Sequence, residues 1–336
     1  MDRRAAEQTR RTCYPLLTGN AMILCVTLNP CLDKTLTVPA WSPGDSVRGF
    51  VVREVVGGKG NNVARALARL GREARPVTFF GGEVGTRCEA LLRADDRLEP
   101  ITTPTAAPTR VILTVRTEGT PAQTAFFDPD PVITPDEAEA LLHRVEGAFL
   151  AENVEAVTLS GSSPSPATHE LFADLIALAL ARKVPVLLDT YGPALEAVWG
   201  FWPWSIHVNR GEAAGHLGTG APSDEQVFGL LDRWSRHGVS CGVITDGPGP
   251  ALALVHGRRF RVTPPPVAVV NPVGSGDCLL AGLADGRLRG LPPEGLLRHA
   301  FACAVANVVV WDAGALDPHE VGRQREAVAV EPVGPE

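Results

Sequence analysis

Apolar residues recur along this chain with two different periods. Short runs such as MILCVTL (22–28), VEAVTLS, VPVLLD and SIHVN are continuously apolar or β-branched and stop at turn-forming residues, which predicts buried strands. Between them lie helical patterns. Val63, Ala66, Leu67 and Leu70 share one face ahead of Gly71, a helix-stop signal. THELFADLIALALARK and GLLRHAFACAVANVVVW also read as helices, and Ser223 with Gln226 forms a candidate capping box before Val227, Leu230, Leu231 and Trp234. Strands alternating with helices imply right-handed crossovers and a mostly parallel sheet flanked by helices, an α/β doubly wound architecture.

Two segments have another rhythm. TLTVPAWSPGDSVRGFVVREVV and PTRVILTVRTEGTPAQTAFF alternate apolar and polar positions around turns, the second turn near Glu118-Gly119, as half-exposed ribbons do. They predict a small β-sheet lid from about residues 35–56 and 100–128. The domain plan is one domain over residues 21–320, with flexible tails at 1–20 and 321–336.

Composition narrows the function classes. The 336 residues are 45% hydrophobic and 21% charged, with a net charge of −7, which suits a globular protein and argues against a nucleic-acid partner. Seven scattered cysteines lack the C-x-x-C spacing of zinc or redox sites, so most read as small core residues of a reducing compartment. Neither a secretory signal nor a membrane span is evident; a cytoplasmic protein without a membrane partner is the expectation.

Polar segments sit at the predicted strand ends, where an open α/β sheet binds its ligands: residues 29–33, 57–62, 160–164, 209–212, 245–249 and 274–277. NPVGSGDCLLAGLADG places Asp277 just after Gly274, Ser275 and Gly276 at a helix start. Unpaired amides and the helix dipole favour an anion there, so a neighbouring carboxylate suggests work on a phosphate. An ordinary first-turn acid is the alternative. GGKGNN allows close backbone approach and offers Lys59, Asn61 and Asn62 as donors, yet it lacks the Walker A spacing, and no G-x-G-x-x-G follows the first strand. NRGE (Asn209 to Glu212) offers hard oxygens for Mg²⁺ or its waters, or else a capped helix with Glu212 in its first turn. Arg110 either reaches a ligand from the lid or lies on a solvated strand face, and His207 either faces the cleft or is structural.

TLNPCLDKT, GGKGNNVARALARLG, LSGSSP, LLDTYGPAL, NRGE and NPVGSGDCLLAGLADG, in this order, resemble the signatures of the PfkB (ribokinase-like) carbohydrate kinases, most closely the 1-phosphofructokinase and tagatose-6-phosphate kinase branch. The resemblance implies a ribokinase-like fold with a β lid that often forms a homodimer contact, and transfer of the ATP γ-phosphoryl group to a sugar hydroxyl. It implies Asp277 as general base, with the amides of Gly274, Ser275 and Gly276 as the anion hole. Asp33, Gly58, Lys59, Asn62 and Ser160 would form the sugar site, and Arg110 would hold a phosphate already on the sugar. Asn209 (through water) and Glu212 would organise Mg²⁺ and the ATP phosphates, and Thr245 and Gly247 would start the nucleotide loop.

The implied acceptor is a ketohexose phosphate, fructose 1-phosphate first, then tagatose 6-phosphate or fructose 6-phosphate. The alternatives are a kinase of an unphosphorylated sugar or nucleoside, and a non-catalytic sugar-phosphate sensor. Three departures stand out. His207 replaces the branch's lysine, Pro250 replaces the second glycine of the nucleotide loop, and Phe127 and Asp130 replace the Asn and Gly of the lid exit.

Overall fold

A computed structural model describes residues 21–119 and 123–334; the predicted tail 1–20 lies outside the described residues. The strands, in chain order, are β1 (Met22–Thr27), β2 (Cys31–Val38), β3 (Val51–Gly57), β4 (Glu73–Gly81), β5 (Ile101–Thr105), β6 (Arg110–Thr117) and β7 (Gln123–Phe127), followed by β8 (Val154–Ser160), β9 (Val186–Asp189), β10 (Ser205–Asn209), β11 (Cys241–Asp246), β12 (Gly249–Val255), β13 (Arg258–Thr263) and β14 (Ala329–Pro332). Among the described residues, one ten-stranded sheet runs β14-β13-β12-β11-β10-β9-β8-β1-β4-β5, and a four-stranded sheet runs β3-β2-β6-β7. The large sheet is parallel from β5 to β11 and antiparallel beyond.

Helices cover both faces, which is why β1 is apolar from Met22 to Val26. Ile23 and Cys25 pack into one core with the helices Lys59–Arg69, Ser275–Leu288 and Pro293–Val308, while Leu24 and Val26 pack into the other with Pro135–Ala151, Leu171–Ala181 and Asp224–Arg236. The predicted stop at Gly71 is a left-handed residue (φ 81°), and the Arg72 amide donates back to the Leu67 carbonyl at 2.9 Å, closing the helix as a C-terminal glycine does. The capping box of Ser223 and Gln226 is present. Gly282 serves close packing, because a Cβ there would lie 2.6 Å from Ala300 Cα on the neighbouring helix.

The structure departs from the sequence reading at three boundaries. The small sheet starts at Cys31, directly after the Asn29-Pro30 turn, and not near residue 35. Residues 101–105, assigned to the lid, instead extend the large sheet by pairing with β4; Pro104 is tolerated because this is an edge strand. Residues 321–336 do not remain a tail over their described part. The helix Pro318–Ala327 and β14 close the far edge, with Val330 paired to Val262 and with Val321 and Val328 buried. Few large apolar residues interrupt this polar stretch, so its periodicity is faint, but Val321, Val328 and Val330 face the core.

Candidate active site

The parallel strands end at one edge of the large sheet, and the small sheet stands over that edge. Between them lies a cavity of about 580 Å³, a size that suits small molecules. On one side of the cavity Arg53 of the lid pairs with Asp312 of the body, and the Arg116 guanidinium lies 4.0 Å from the centre of the Trp311 ring.

The helix Ser275–Leu288 aims its N-terminus into this cavity. Gly274 has φ 86°, and a Cβ there would stand 2.6 Å from Ala313 Cβ; a Cβ on Gly276 would stand 3.2 Å from His207 Cε1. The glycines therefore answer to backbone conformation and close approach as well as to any ligand. The Ser275 amide donates to the Pro272 carbonyl at 3.3 Å, so it is partly engaged within the loop.

Asp277, 5% exposed, follows in the first turn, and its Oδ2 accepts from Asn62 Nδ2 at 2.7 Å. Burial pushes its carboxyl up to about 6, Lys59 pulls the other way, and Asp189 adds to the rise. Arg65 sets the orientation of Asn62. Its Nη1 donates to Asn62 Oδ1 at 2.9 Å, and because a guanidinium only donates, the amide nitrogen is left to face Asp277. Arg65 also holds the Ala313 and Val56 carbonyls and both carboxylate oxygens of Asp96.

A second set of charges lies behind Asp277. Lys59 Nζ donates to Asp189 Oδ1 at 2.7 Å and sits 3.9 Å from Glu212 Oε1. His207 links Asp189 Oδ2 (Nδ1, 3.0 Å) to Thr245 Oγ1 (Nε2, 3.2 Å). Burial opposes ionisation of Asp189, but Lys59 and His207 outweigh it and hold the carboxyl well below its usual range. Burial likewise disfavours the Lys59 charge, yet Asp189, Asp277 and Glu212 raise its pKa. Asn209 and Glu212 form a reciprocal capping box at the start of the helix Arg210–Leu217. Glu212 Oε2 accepts from the Asn209 amide at 2.8 Å. Among the described residues no cluster of three or more His, Cys, Asp or Glu side chains is arranged to hold a metal. A Mg²⁺ ion here would take Glu212 as a single carboxylate and complete its shell with water and phosphate oxygens, which is how this ion is commonly held.

At the lid end Asp33 lies against the Gly57 backbone, where a Cβ would meet its Oδ2 at 2.1 Å, and burial pushes its carboxyl up. Arg110 also lines the cavity, but its Nη1 is paired with Asp130 Oδ1 at 2.8 Å. The same oxygen accepts from Asn29 Nδ2 at 2.9 Å.

The family model described as "pfkB family carbohydrate kinase" matches residues 26–320. The chain belongs to the PfkB family of carbohydrate kinases. It is thus a phosphotransferase with an alcohol group as acceptor, in a family that uses ATP. Solved structures agree in fold. Phosphofructokinase-2 from Escherichia coli, in complex with potassium, superposes with TM-score 0.83 at 24% identity over 92% of this chain and 99% of that one. A Thermotoga maritima protein described as a "Possible 1-phosphofructokinase" gives 0.83 at 22% over 93% and 100%. A carbohydrate kinase from Agrobacterium tumefaciens gives 0.71 at 21% over 93% and 100%.

Within this PfkB kinase, Asp33, Gly58, Lys59, Asn62, Arg110, Asn209, Glu212, Thr245, Gly247 and residues 274–277 all line one cavity. Ser160 does not; it is fully buried at the end of β8, and Ser162 lines the cavity in its place. Asn61 is also turned inward, donating to the Gly57 carbonyl at 2.9 Å. Pro250 falls where the β11–β12 register shifts, so its missing N–H interrupts no regular pairing. Asp189, Arg53 and Trp311 escaped the sequence reading, and Asp130 entered it only as a departure from the branch's pattern. Asp189 ends a predicted strand and could have been found by the rule used for the others, whereas nothing local marks Arg53 or Trp311.

Proposed function

We propose that this chain transfers the γ-phosphoryl group of ATP to a hydroxyl of a sugar held between the lid and the strand ends, with Asp277 as general base. One observation carries the reading: a buried carboxylate, raised to about 6, stands in the first turn of a helix whose N-terminus opens into the cavity. The sugar oxygen attacks the γ-phosphorus, the bond to the β,γ-bridging oxygen breaks, ADP leaves, and the hydroxyl proton passes to Asp277. The amides of Gly274, Ser275 and Gly276 and the helix dipole stabilise charge on the transferring group, the Ser275 amide to the extent its 3.3 Å bond to the Pro272 carbonyl allows, and Lys59 adds a cation. Glu212, with Asn209 acting through water, would hold Mg²⁺, which neutralises phosphate charge when bound. Asp33 accepts from sugar hydroxyls, and Thr245 and Gly247 meet the nucleotide.

The acceptor has two readings. Arg110 in the cavity supports a ketohexose phosphate: fructose 1-phosphate first, then tagatose 6-phosphate or fructose 6-phosphate. The Arg110–Asp130 pair supports an unphosphorylated sugar. Exposed Val52 and Phe126 on the lid support a homodimer through that sheet, and the six cysteines among the described residues, all free and buried, support a reducing cytoplasmic setting. Among the described residues no helix is long and apolar enough to cross a membrane.

ADP release measured over free and phosphorylated sugars, with ATP and Mg²⁺, tests the activity. Turnover abolished by Asp277→Asn is the expected result. Sugar binding without any ADP release would leave a non-catalytic sensor as the function.

A further inference from the structure

We infer that Asp130 selects an acceptor carrying no phosphate at the Arg110 end of the cavity; the inference rests on the sugar-kinase reading above. Asp130 is held in place by its own strand exit. The Asp128 amide donates to the Val111 carbonyl at 3.1 Å, and Asp128 Oδ2 accepts from the Val111 amide at 2.8 Å, pinning the turn that carries Pro129 and Asp130 beside β6. From there one carboxylate oxygen accepts from both Arg110 Nη1 (2.8 Å) and Asn29 Nδ2 (2.9 Å). Asn29 Nδ2 also donates to Ser162 Oγ at 2.9 Å, and Arg110 Nη2 lies 3.4 Å from the Asn29 carbonyl.

The guanidinium charge is therefore already matched by a carboxylate of the same chain. A phosphate dianion arriving here must either displace Asp130 or lie against it, and like charges in contact repel. The atoms left over favour a different ligand. Arg110 Nε, a donor, and Asn29 Oδ1, an acceptor, are both buried with no partner among the described residues. A hydroxyl satisfies both kinds of atom, because it donates and accepts; a dianionic phosphate has no proton to give Asn29 Oδ1. Asp130 itself, with its side chain 44% exposed, retains Oδ2 to accept from a second hydroxyl.

The test is made on the full chain with Asp130→Asn and Asp130→Gly. Fructose, fructose 1-phosphate, fructose 6-phosphate and tagatose 6-phosphate are compared by calorimetric binding without ATP and by ADP release with it. The wild type should favour the neutral sugar at least tenfold over each phosphate, and both variants should raise affinity for a phosphosugar at least tenfold. A wild type that prefers a phosphosugar, or variants that leave the preference unchanged, would overturn the inference. If no acceptor yields ADP while binding preference still follows Asp130, the kinase reading fails and the role of Asp130 stands.

Discussion

Asn62 donates its side-chain amide to Asp277 at 2.7 Å across 215 residues of sequence, and Arg65, one helical turn beyond Asn62, determines which end of that amide faces the carboxylate. The proposed base is therefore oriented by a side chain that itself cannot turn over without losing the guanidinium. Four expectations follow from this arrangement and its surroundings.

Asp277 accepts a proton only when ionised. Its pKa of about 6 places an acid limb in kcat/KM there, with activity falling as the pH drops through that value. Asp277→Asn should lower kcat by about 10²- to 10⁴-fold. The sign for stability is opposite to that for activity. A raised carboxyl favours the fold in its protonated form, fully below the unfolded value of 3.8, and loses that contribution as pH rises through about 6. Asp277→Asn, neutral throughout, should thus melt at or above the wild-type temperature at neutral pH. A clear drop in melting temperature would assign the residue a structural role instead.

Arg65→Lys keeps a charge but loses the fork that holds Asn62, Asp96 and two carbonyls together. Freed from Arg65, Asn62 no longer lowers the Asp277 pKa reliably, so the acid limb should move upward and kcat should fall by about tenfold. Denaturant unfolding should show a loss of about 3 kcal/mol. An acid limb that stays in place would show that Arg65 serves packing alone.

Gly274→Ala introduces a left-handed non-glycine residue and a methyl group 2.6 Å from Ala313 Cβ. The expected cost is about 1–3 kcal/mol, with loss of turnover as the loop shifts. Adding Ala313→Gly removes the closest contact but leaves the backbone Cα of residue 313 at 2.9 Å and the backbone strain, so the double variant should recover only part of the stability. Full recovery would mean that the φ of 86° costs nothing here.

Asp189→Asn leaves Lys59 and His207 without their carboxylate. Because the folded pKa of Asp189 is depressed, its contribution is present above the unfolded value of 3.8 and is lost as pH falls below it. Allowing for the partial exposure of Lys59, the variant should be less stable by about 2 kcal/mol at neutral pH. The gap between variant and wild type should narrow in acid. A gap independent of pH would point to packing, not charge, as the role of Asp189.

Much of this molecule was readable one segment at a time. The strand ending at Asn209, the capping box of Ser223 and Gln226 and the stop at Gly71 are each specified by neighbours within a turn or two, so local pattern sufficed. The edge strand β5 and the C-terminal strand β14 were missed because each is short and weakly patterned, so tertiary packing decides its pairing with β4 or β13. Ser160 shows the same limit at the scale of one residue. The last residue of β8 is buried in the core, and the chain leaves the strand at Gly161, whose φ of 98° redirects it, so that Ser162 and not Ser160 lines the cavity.

Sequence alone determined the alternation of elements, the positions of the strand ends and the chemical types gathered there, because periodicity and turn chemistry act over a few residues. Tertiary structure decided which of those groups are charged, paired or free. Asp277 has its proton affinity set by burial, by Lys59 and by Asp189; Arg110 is matched by Asp130; and Asn209 with Glu212 caps a helix inside the same cavity. Each of these outcomes depends on distances of a few ångströms between segments far apart in the chain, and on the water excluded between them, neither of which a local pattern contains.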